Sequence, residues 1–318
     1  MTDKQINRWL RRRFSPLGWM LLLFYGLITL LTSLTAFADM AKQFLWDFAV
    51  GNFSGGVDWN AVNGNAWGYI AAIAVAFAVL DAWKGSDYWK REIFRKEASM
   101  GIRTFLCFPV LCMGAQMANS IWITLLELLM SLTGKSLMPV LETVAGSTDT
   151  FSMFLYASIL APIWEEVLFR GCVLRTLRPF GKRFSILGSA ILFGLFHGNL
   201  LQAPYAILVG LLLGYITVEY SLFWAILLHM FNNLVLADLL SRLTANWSEM
   251  AYGSLNLILF GGGALLSLVV LIRNRSAIRN YRREEWMDRR CLKCFFLSPG
   301  ILAMAAVMCF FMAMMFFG

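Results

Sequence analysis

Long apolar runs constrain this chain more than any other feature of its sequence. A membrane-spanning α-helix needs roughly 20 consecutive apolar residues. Only 14% of the 318 residues are charged, whereas a soluble domain carries about 25%. The sequence therefore predicts an all-α fold, a polytopic transmembrane helical bundle of about nine spans. The nine runs lie at about 17–37, 67–84, 104–133, 151–174, 184–201, 204–220, 221–240, 253–272 and 296–317.

The distribution of lysine and arginine predicts the orientation of the bundle. Four blocks, 4–13, 84–103, 175–183 and 273–293, hold nearly all of the 27 basic residues. With nine spans, all four blocks fall on one side of the membrane, and basic loops favour the cytosolic side. We therefore expect the N-terminus inside, in a multi-pass protein of a bacterial cytoplasmic (inner) membrane. The net charge of +8 is then a property of inside loops, and we predict no nucleic-acid partner.

The spans fall into three parts. Residues 1–150 hold spans 1–3 with their loops, 151–240 hold the candidate core of spans 4–7, and 241–318 hold spans 8–9 with a basic inside loop. The glycines Gly210 and Gly214 have the GxxxG spacing that lets helices approach closely. Cys291 and Cys294 form a CxxC without a second pair or a nearby histidine, so the sequence favours two reduced thiols over a zinc site.

Ionisable side chains inside apolar runs indicate where function resides. A charged residue at the centre of a spanning helix costs about 2.5–3.5 kcal/mol on insertion scales. The only two histidines of the chain both lie in such runs, which favours a functional use of imidazole. The polar residues concerned are Glu165, Glu166 and Arg170 in the fourth run, His197 in the fifth, and His229 and Asn233 in the seventh.

Estimated depths place these groups in one layer. With a rise of 1.5 Å per residue, Glu165 lies ~15 Å and His197 ~20 Å below the inner surface. His229 and Asn233 lie at ~12 and ~18 Å. We therefore expect the four side chains to surround one wet pocket within the bundle.

Helical spacing predicts which of these side chains meet. Glu166 and Arg170 are four residues apart, so they share a face and can form an ion pair. Glu165 points about 100° away and is free to meet the histidines. His229 and Asn233 also share a face and should look into the same pocket.

Three motifs follow one another on these runs: EExxxR (Glu165, Glu166, Arg170), FxxxH (Phe193, His197) and HxxxN (His229, Asn233). In this order they resemble the CPBP (Abi) family of intramembrane proteases, which includes the type II CAAX prenyl endopeptidases. The resemblance covers about residues 150–240 and nothing outside them.

The resemblance implies peptide-bond hydrolysis in a membrane cavity, acting on a peptide or protein substrate of unspecified identity. Two histidines and a glutamate could ligate zinc, but an asparagine suits an oxyanion donor better, so we favour a mechanism without a metal. The implied roles are a general base (Glu165), a water-holding group (His197), oxyanion donors (His229, Asn233) and orienting groups (Glu166, Arg170).

Two other functions stay open. A family member could keep these residues and work as a membrane scaffold or in bacteriocin self-immunity without proteolysis. A transporter would also bury Glu, His and Arg at mid-depth, usually with glycine- or proline-broken helices at the site. Substrate, oligomeric state and the role of the CxxC are left undetermined by the sequence.

Overall fold

A computed structural model of the chain describes residues 2–52, 56–93, 95–138, 141, 150–285 and 287–315. Within these ranges the chain is helical, with one isolated antiparallel bridge between Lys96 and Ser221. The helices are α1 (Asp3–Ala49), α2 (Trp59–Asn63), α3 (Trp67–Lys84), α4 (Ile102–Ser131), α5 (Phe151–Phe180), α6 (Lys182–Phe196), α7 (Ala203–Glu219), α8 (Leu222–Thr244), α9 (Glu249–Arg273), α10 (Arg275–Glu284), α11 (Arg289–Phe296) and α12 (Pro299–Met314), with a short helical stretch from Ser86 to Ile93.

The all-α membrane architecture is confirmed, but the count of nine spans is not. In the described ranges six helices are long and apolar enough to cross a membrane: α1, the helix Ala61–Lys84 (which includes α3), α4, α5, α8 and α9. The pair α11 and α12, bent by 60°, adds a seventh if it is one span. The predicted runs 184–201 and 204–220 instead correspond to α6 and α7, of only 15 and 17 residues. Residues 316–317 of the ninth run lie outside the described residues.

A turn between α6 and α7 explains why these two helices are short. Gly198 has a φ of +59°, a left-handed conformation that ends a helix and that glycine adopts without a steric penalty. The Asn199 side chain accepts a hydrogen bond from the backbone of Leu201 at 2.8 Å, and Pro204 stands in the first turn of α7. The chain therefore reverses over residues 197–202, whereas the sequence predicts residues 197–201 as part of the run 184–201.

Helices α5 to α8 form the centre of the bundle. Helices α1, α3 and α12 pack on one side of them, and α4 with α9 on another. Cross-helix hydrogen bonds fix the neighbours: Ser189 on α6 donates to the carbonyl of Phe169 on α5 at 2.8 Å. On the outer layer, Ser267 on α9 donates to the carbonyl of Val110 on α4 at 2.7 Å.

Glycines bring α6 and α7 close together. A Cβ on Gly210 would lie 3.2 Å from the Cα of Ala190, and one on Gly214 would lie 3.1 Å from the side chain of Ile186. The close packing predicted from the GxxxG spacing is therefore confirmed. Gly194, which the sequence analysis did not single out, makes an even closer approach, because its Cβ would lie 2.8 Å from the carbonyl oxygen of Ala203.

The four basic blocks of the sequence meet at one end of the bundle, here called the basic end. The contacts that join them pair Arg290 with Asp3 (2.8 Å), Arg183 with the carbonyl of Arg282 (2.9 Å) and Arg175 with Glu97 (3.2 Å). Cys291 and Cys294 lie in this region as buried, free thiols. The alternation of charge along the sequence thus corresponds to a polarity of the folded bundle.

Candidate active site

A cavity of about 260 Å³ lies among α5, α6, α7 and α8. Glu165, His197, His229 and Asn233 all line it. The structure therefore brings together the four side chains that the depth estimate put in one layer. Concave sites with a few convergent polar groups between helices are where ligands usually bind.

The two adjacent glutamates of α5 face different surroundings. Glu166 is fully buried, and its Oε1 accepts a hydrogen bond from Arg170 Nη1 at 2.8 Å, so the ion pair expected from their spacing is present. Arg170 also donates through Nη2 to the carbonyl of Gly210 at 3.3 Å, which ties α5 to α7. The Glu165 side chain keeps 23% of its surface exposed and lines the cavity. Only Glu165 is therefore open to a molecule inside the cavity.

His229 connects both glutamates. Its Nδ1 lies 2.9 Å from Glu166 Oε1, and its Nε2 lies 3.7 Å from Glu165 Oε2. A carboxylate paired with arginine can only accept, so Nδ1 carries a proton and donates it to Glu166. This contact fixes the ring orientation and leaves Nε2 beside Glu165.

His197 presents the same nitrogen to the cavity. It follows the last residue of α6, and its Nδ1 lies 2.8 Å from the carbonyl oxygen of Phe193. Because a backbone carbonyl only accepts, Nδ1 donates, and Nε2 of the neutral ring is left as an acceptor. The sequence predicts His197 inside a span, whereas the structure places it at the C-terminal cap of α6, next to the turn at Gly198.

The Phe193 ring contacts one residue of each motif: Arg170, His197 and His229. The guanidinium carbon of Arg170 lies 4.3 Å from its ring centroid, a cation–π distance. The rings of His197 and His229 stand edge-on to it, with centroids 4.9 and 5.7 Å away. Phe193 therefore fixes the position of both imidazoles relative to Arg170, which explains physically why an aromatic residue suits this place.

Asn233 is held by a chain of amide contacts. Its Nδ2 donates to the carbonyl of Ala157 on α5 at 3.1 Å, and its Oδ1 accepts from Asn232 Nδ2 at 3.1 Å. The Tyr205 hydroxyl of α7 in turn donates to Asn232 Oδ1. One hydrogen of the Asn233 amide is left for a group in the cavity.

Two π-helical segments meet at the hydrogen-bonded residues Asn232 and Asn233. Tyr156–Leu160 on α5 and Asn232–Leu239 on α8 are π-helical, and the two segments contact each other. Such turns occur often at functional sites because they alter which side chains share a face. Here the neighbouring residues Asn232 and Asn233 both line the cavity.

Sequence reasoning missed several residues of the cavity wall. Tyr156, Gln202, Tyr205 and Asn232 line it beside the predicted residues. Neutral polar and aromatic side chains carry little insertion cost, so they do not stand out in an apolar run as glutamate does. Only Asn232 had a local signal, because it precedes the asparagine of the HxxxN motif.

Binding of a metal ion would require several ligating side chains to lie close together. No group of three or more His, Cys, Asp or Glu side chains placed to hold a metal ion occurs in the described part of the chain. The donors that the cavity offers are Nε2 of His197, Nε2 of His229 and the Glu165 carboxylate, together with the Asn233 amide.

The fold and the cavity together define a polytopic membrane protein with a polar site built from four central helices. Comparison with known families is consistent with this description. Residues 147–235 match the model of the family Type II CAAX prenyl endopeptidase Rce1-like, and the resemblance inferred from the three motifs is thereby confirmed. That segment includes all six predicted site residues. We found no match among curated proteins and none among solved structures.

Proposed function

We propose that this protein is an intramembrane endopeptidase in which Glu165 activates a water molecule. One observation carries the proposal: Glu165 lines the cavity 3.7 Å from His229 Nε2, while the neighbouring carboxylate of Glu166 is occupied by Arg170. The match to a CAAX endopeptidase family supports the reaction class.

The first step is attack by water. His197 Nε2 accepts a hydrogen bond from the water, and Glu165 removes a proton from it as general base. The water oxygen bonds to the carbonyl carbon of the substrate, and the electron pair of the C=O bond moves to the carbonyl oxygen. Both accepting groups are on the cavity wall, so the water is oriented before it reacts.

The second step is stabilisation of the resulting oxyanion. His229 in its protonated form donates from Nδ1 to Glu166 and from Nε2 into the cavity, and Asn233 offers its remaining amide hydrogen. Because Glu165 holds the proton taken from water, the negative charges of the oxyanion and Glu166 balance the positive charges of Arg170 and His229 in this intermediate. Preorganised donors of this kind are commonly the largest contribution to such catalysis.

The third step is cleavage. The tetrahedral intermediate collapses, the C–N bond breaks, and the proton held by Glu165 passes to the leaving amine. The same carboxylate thus serves as base and then as acid, so the cycle ends with Glu165 ionised. Every group used belongs to the chain, apart from the water and the substrate.

The substrate is proposed only as a class. The family description suggests a prenylated C-terminal peptide, and a transmembrane or leader peptide is the alternative substrate class. We propose that the basic end faces the cytosol, as basic loops do in membrane proteins. The bacterial cytoplasmic membrane stays a prediction from the sequence.

Replacement of Glu165 by glutamine tests the proposal. The full chain is purified and incubated with a panel of a prenylated CAAX peptide, its unprenylated form, a leader peptide and a transmembrane peptide. We expect Glu165→Gln to lower kcat by about 10²- to 10⁴-fold, as loss of a general base does. The matched control is Glu249→Gln, because Glu249 is an exposed glutamate at the start of α9, away from the cavity.

Other outcomes would contradict the proposal. Equal cleavage by the Glu165→Gln variant and the parent would show that another group activates water. Cleavage of no peptide by the parent, with a cellular phenotype that persists in Glu165→Gln, would favour the scaffold or immunity role. Cleavage that stops with a strong chelator and returns with zinc would contradict the metal-independent mechanism.

A further inference from the structure

An arginine-lined pocket lies at the basic end, separate from the catalytic cavity. It has a volume of about 570 Å³ and is formed by the start of α6, the last turn of α9 and one face of α10. Its arginines are Arg183, Arg275, Arg279, Arg282 and Arg283. This feature is here called the arginine pocket.

Helical spacing puts the arginines of α10 on a single face. Residues 275, 279, 282 and 283 stand at positions i, i+4, i+7 and i+8, which share one face of a helix, so they form one stripe. The other face of α10 is attached to the bundle, because the Tyr281 hydroxyl donates to Glu219 Oε1 on α7 at 3.0 Å. The side of α10 that carries Tyr281 therefore faces α7, and the arginine stripe lies on the side that lines the pocket.

Arg183 is fixed at the back of the pocket. It is half-buried, and its Nη1 donates to the carbonyls of Arg282 at 2.9 Å and Glu285 at 3.4 Å. These contacts orient its guanidinium toward the α10 stripe. One wall of the pocket is therefore positioned in advance of any ligand.

The arginine pocket lacks internal neutralisation. In the described ranges, none of its five guanidinium groups forms an ion pair with a carboxylate within 4 Å. The nearby acids Glu219 and Glu285 are engaged by Lys182 instead, at 3.1 and 2.9 Å. Five like charges around one pocket repel each other, so an anion bound there would relieve that repulsion.

The chemistry of the pocket is not purely ionic. Leu271 in the last turn of α9 and Ile278 on the arginine stripe of α10 also line it, with 44% and 41% of their surfaces exposed. Helix α9 is an apolar spanning helix that ends at Arg273, so the pocket lies where the hydrocarbon gives way to the headgroup layer. A free phosphate ion has no apolar group that could pack against the two aliphatic side chains, whereas a phospholipid has acyl chains close to its phosphate.

We propose that the arginine pocket binds the phosphate group of an anionic phospholipid. Guanidinium groups bind phosphate oxygens through paired hydrogen bonds. Basic pockets at this depth are suited to anionic headgroups, whose attraction falls off within a Debye length of the surface. Leu271 and Ile278 contact the start of the acyl chains.

Native mass spectrometry of the full chain tests this proposal. The protein in detergent is titrated separately with phosphatidylglycerol, phosphatidylcholine and inorganic phosphate. We expect phosphatidylglycerol to bind in preference to phosphatidylcholine, and Arg279→Gln/Arg282→Gln to retain one bound phosphatidylglycerol fewer, with at least tenfold weaker binding at that position. The charge-keeping variant Arg279→Lys/Arg282→Lys should retain most of the binding.

A charge-matched control separates the pocket from the general charge of the basic end. Lys90→Gln/Arg103→Gln removes two positive charges from exposed residues outside the pocket, and it should bind phosphatidylglycerol as the parent does. Equal loss in this control and in Arg279→Gln/Arg282→Gln would overturn the proposal. Displacement of the lipid by millimolar inorganic phosphate would show a site for free phosphate and would overturn it as well.

Discussion

The difference between two neighbouring glutamates is the central property of the site at the residue scale. Glu166 is fully buried, and its Oε1 accepts from both Arg170 and His229, so two donors on one oxygen compensate its charge. Removing one member of such a buried pair usually costs about 3–5 kcal/mol, because the other charge is left without compensation. Glu165, one residue earlier, is partly exposed and lines the cavity. A rotation of about 100° along one helix thus separates a carboxylate held in an ion pair from one that lines the cavity.

Tyr205→Phe tests whether the hydrogen bonds from Tyr205 to Asn232 and from Asn232 to Asn233 hold the Asn233 side chain in position. The change removes the hydroxyl that donates to Asn232, which in turn donates to Asn233. We expect kcat to fall by about 10- to 100-fold with little change in KM, since a small misplacement of a catalytic group lowers the rate without altering substrate contacts.

The matched control for this variant is Tyr252→Phe, because Tyr252 is an exposed tyrosine at the start of α9. It should leave kcat unchanged. A fall in thermal stability for Tyr205→Phe, with kcat intact, would mean that the hydroxyl supports the fold rather than the position of the amide.

Charge and spacing decide which site residues the sequence could reveal. The ion pair of Glu166 and Arg170 was predictable because a four-residue spacing on a helix admits few other arrangements. Tyr205 was not, because its contact with Asn232 depends on how α7 packs against α8, which no local pattern encodes. The contact of Phe193 with His229 was not predictable either, since it depends on how α6 packs against α8.

At the scale of the elements, the turn between α6 and α7 determines where His197, the histidine of the FxxxH motif, lies. The apolar pattern indicated two full spans, but the left-handed Gly198 ends α6 after Phe196 and leaves His197 at its cap. Hydropathy could not reveal this ending, because residues on both sides of the turn are apolar. The short α6 delivers the imidazole of His197 to the cavity rather than to the middle of a helix.

Gly194→Ala tests the close approach of α6 and α7. A methyl group there would lie 2.8 Å from the carbonyl oxygen of Ala203, a backbone atom that cannot move alone. We expect the free energy of unfolding to fall by about 1–3 kcal/mol, the usual cost of overpacking. Peptidase activity should fall as well, because Gly194 lies one turn before His197. Thermal unfolding in detergent and the cleavage assay measure the two effects.

Gly26→Ala is the corresponding control on α1. A Cβ at Gly26 meets nothing within 4 Å, so alanine there should be neutral or stabilise the helix by about 1 kcal/mol through its higher helix propensity. Equal stability of the two alanine variants would show that the α6–α7 contact tolerates a methyl group.

At the scale of the whole molecule, positive charge and apolar surface are arranged along one axis. The basic blocks meet at a single end, although they are far apart in sequence, and the contact of Arg290 with Asp3 joins α11 to the start of α1 there. Exposed leucine, isoleucine and phenylalanine side chains cover the long helices, as expected of surfaces that face lipid. The count of spans was harder to predict than this polarity, because a short helix inside a bundle is as apolar as a spanning one.

The orientation of the bundle can be tested across a single helix. Helix α9 begins at Glu249 and ends at Arg273, and 25 helical residues extend about 36 Å, enough to cross the hydrocarbon core. Both side chains are exposed, so a cysteine in the Glu249→Cys or Arg273→Cys variant can be labelled at one end of α9 or the other. Labelling of the parent chain measures the background from the native cysteines. Because basic loops stay in the cytosol, a membrane-impermeant maleimide should label Glu249→Cys in intact cells, and Arg273→Cys only after permeabilisation. The reverse pattern would place the basic end outside, and labelling of both positions in intact cells would mean that α9 does not cross the membrane.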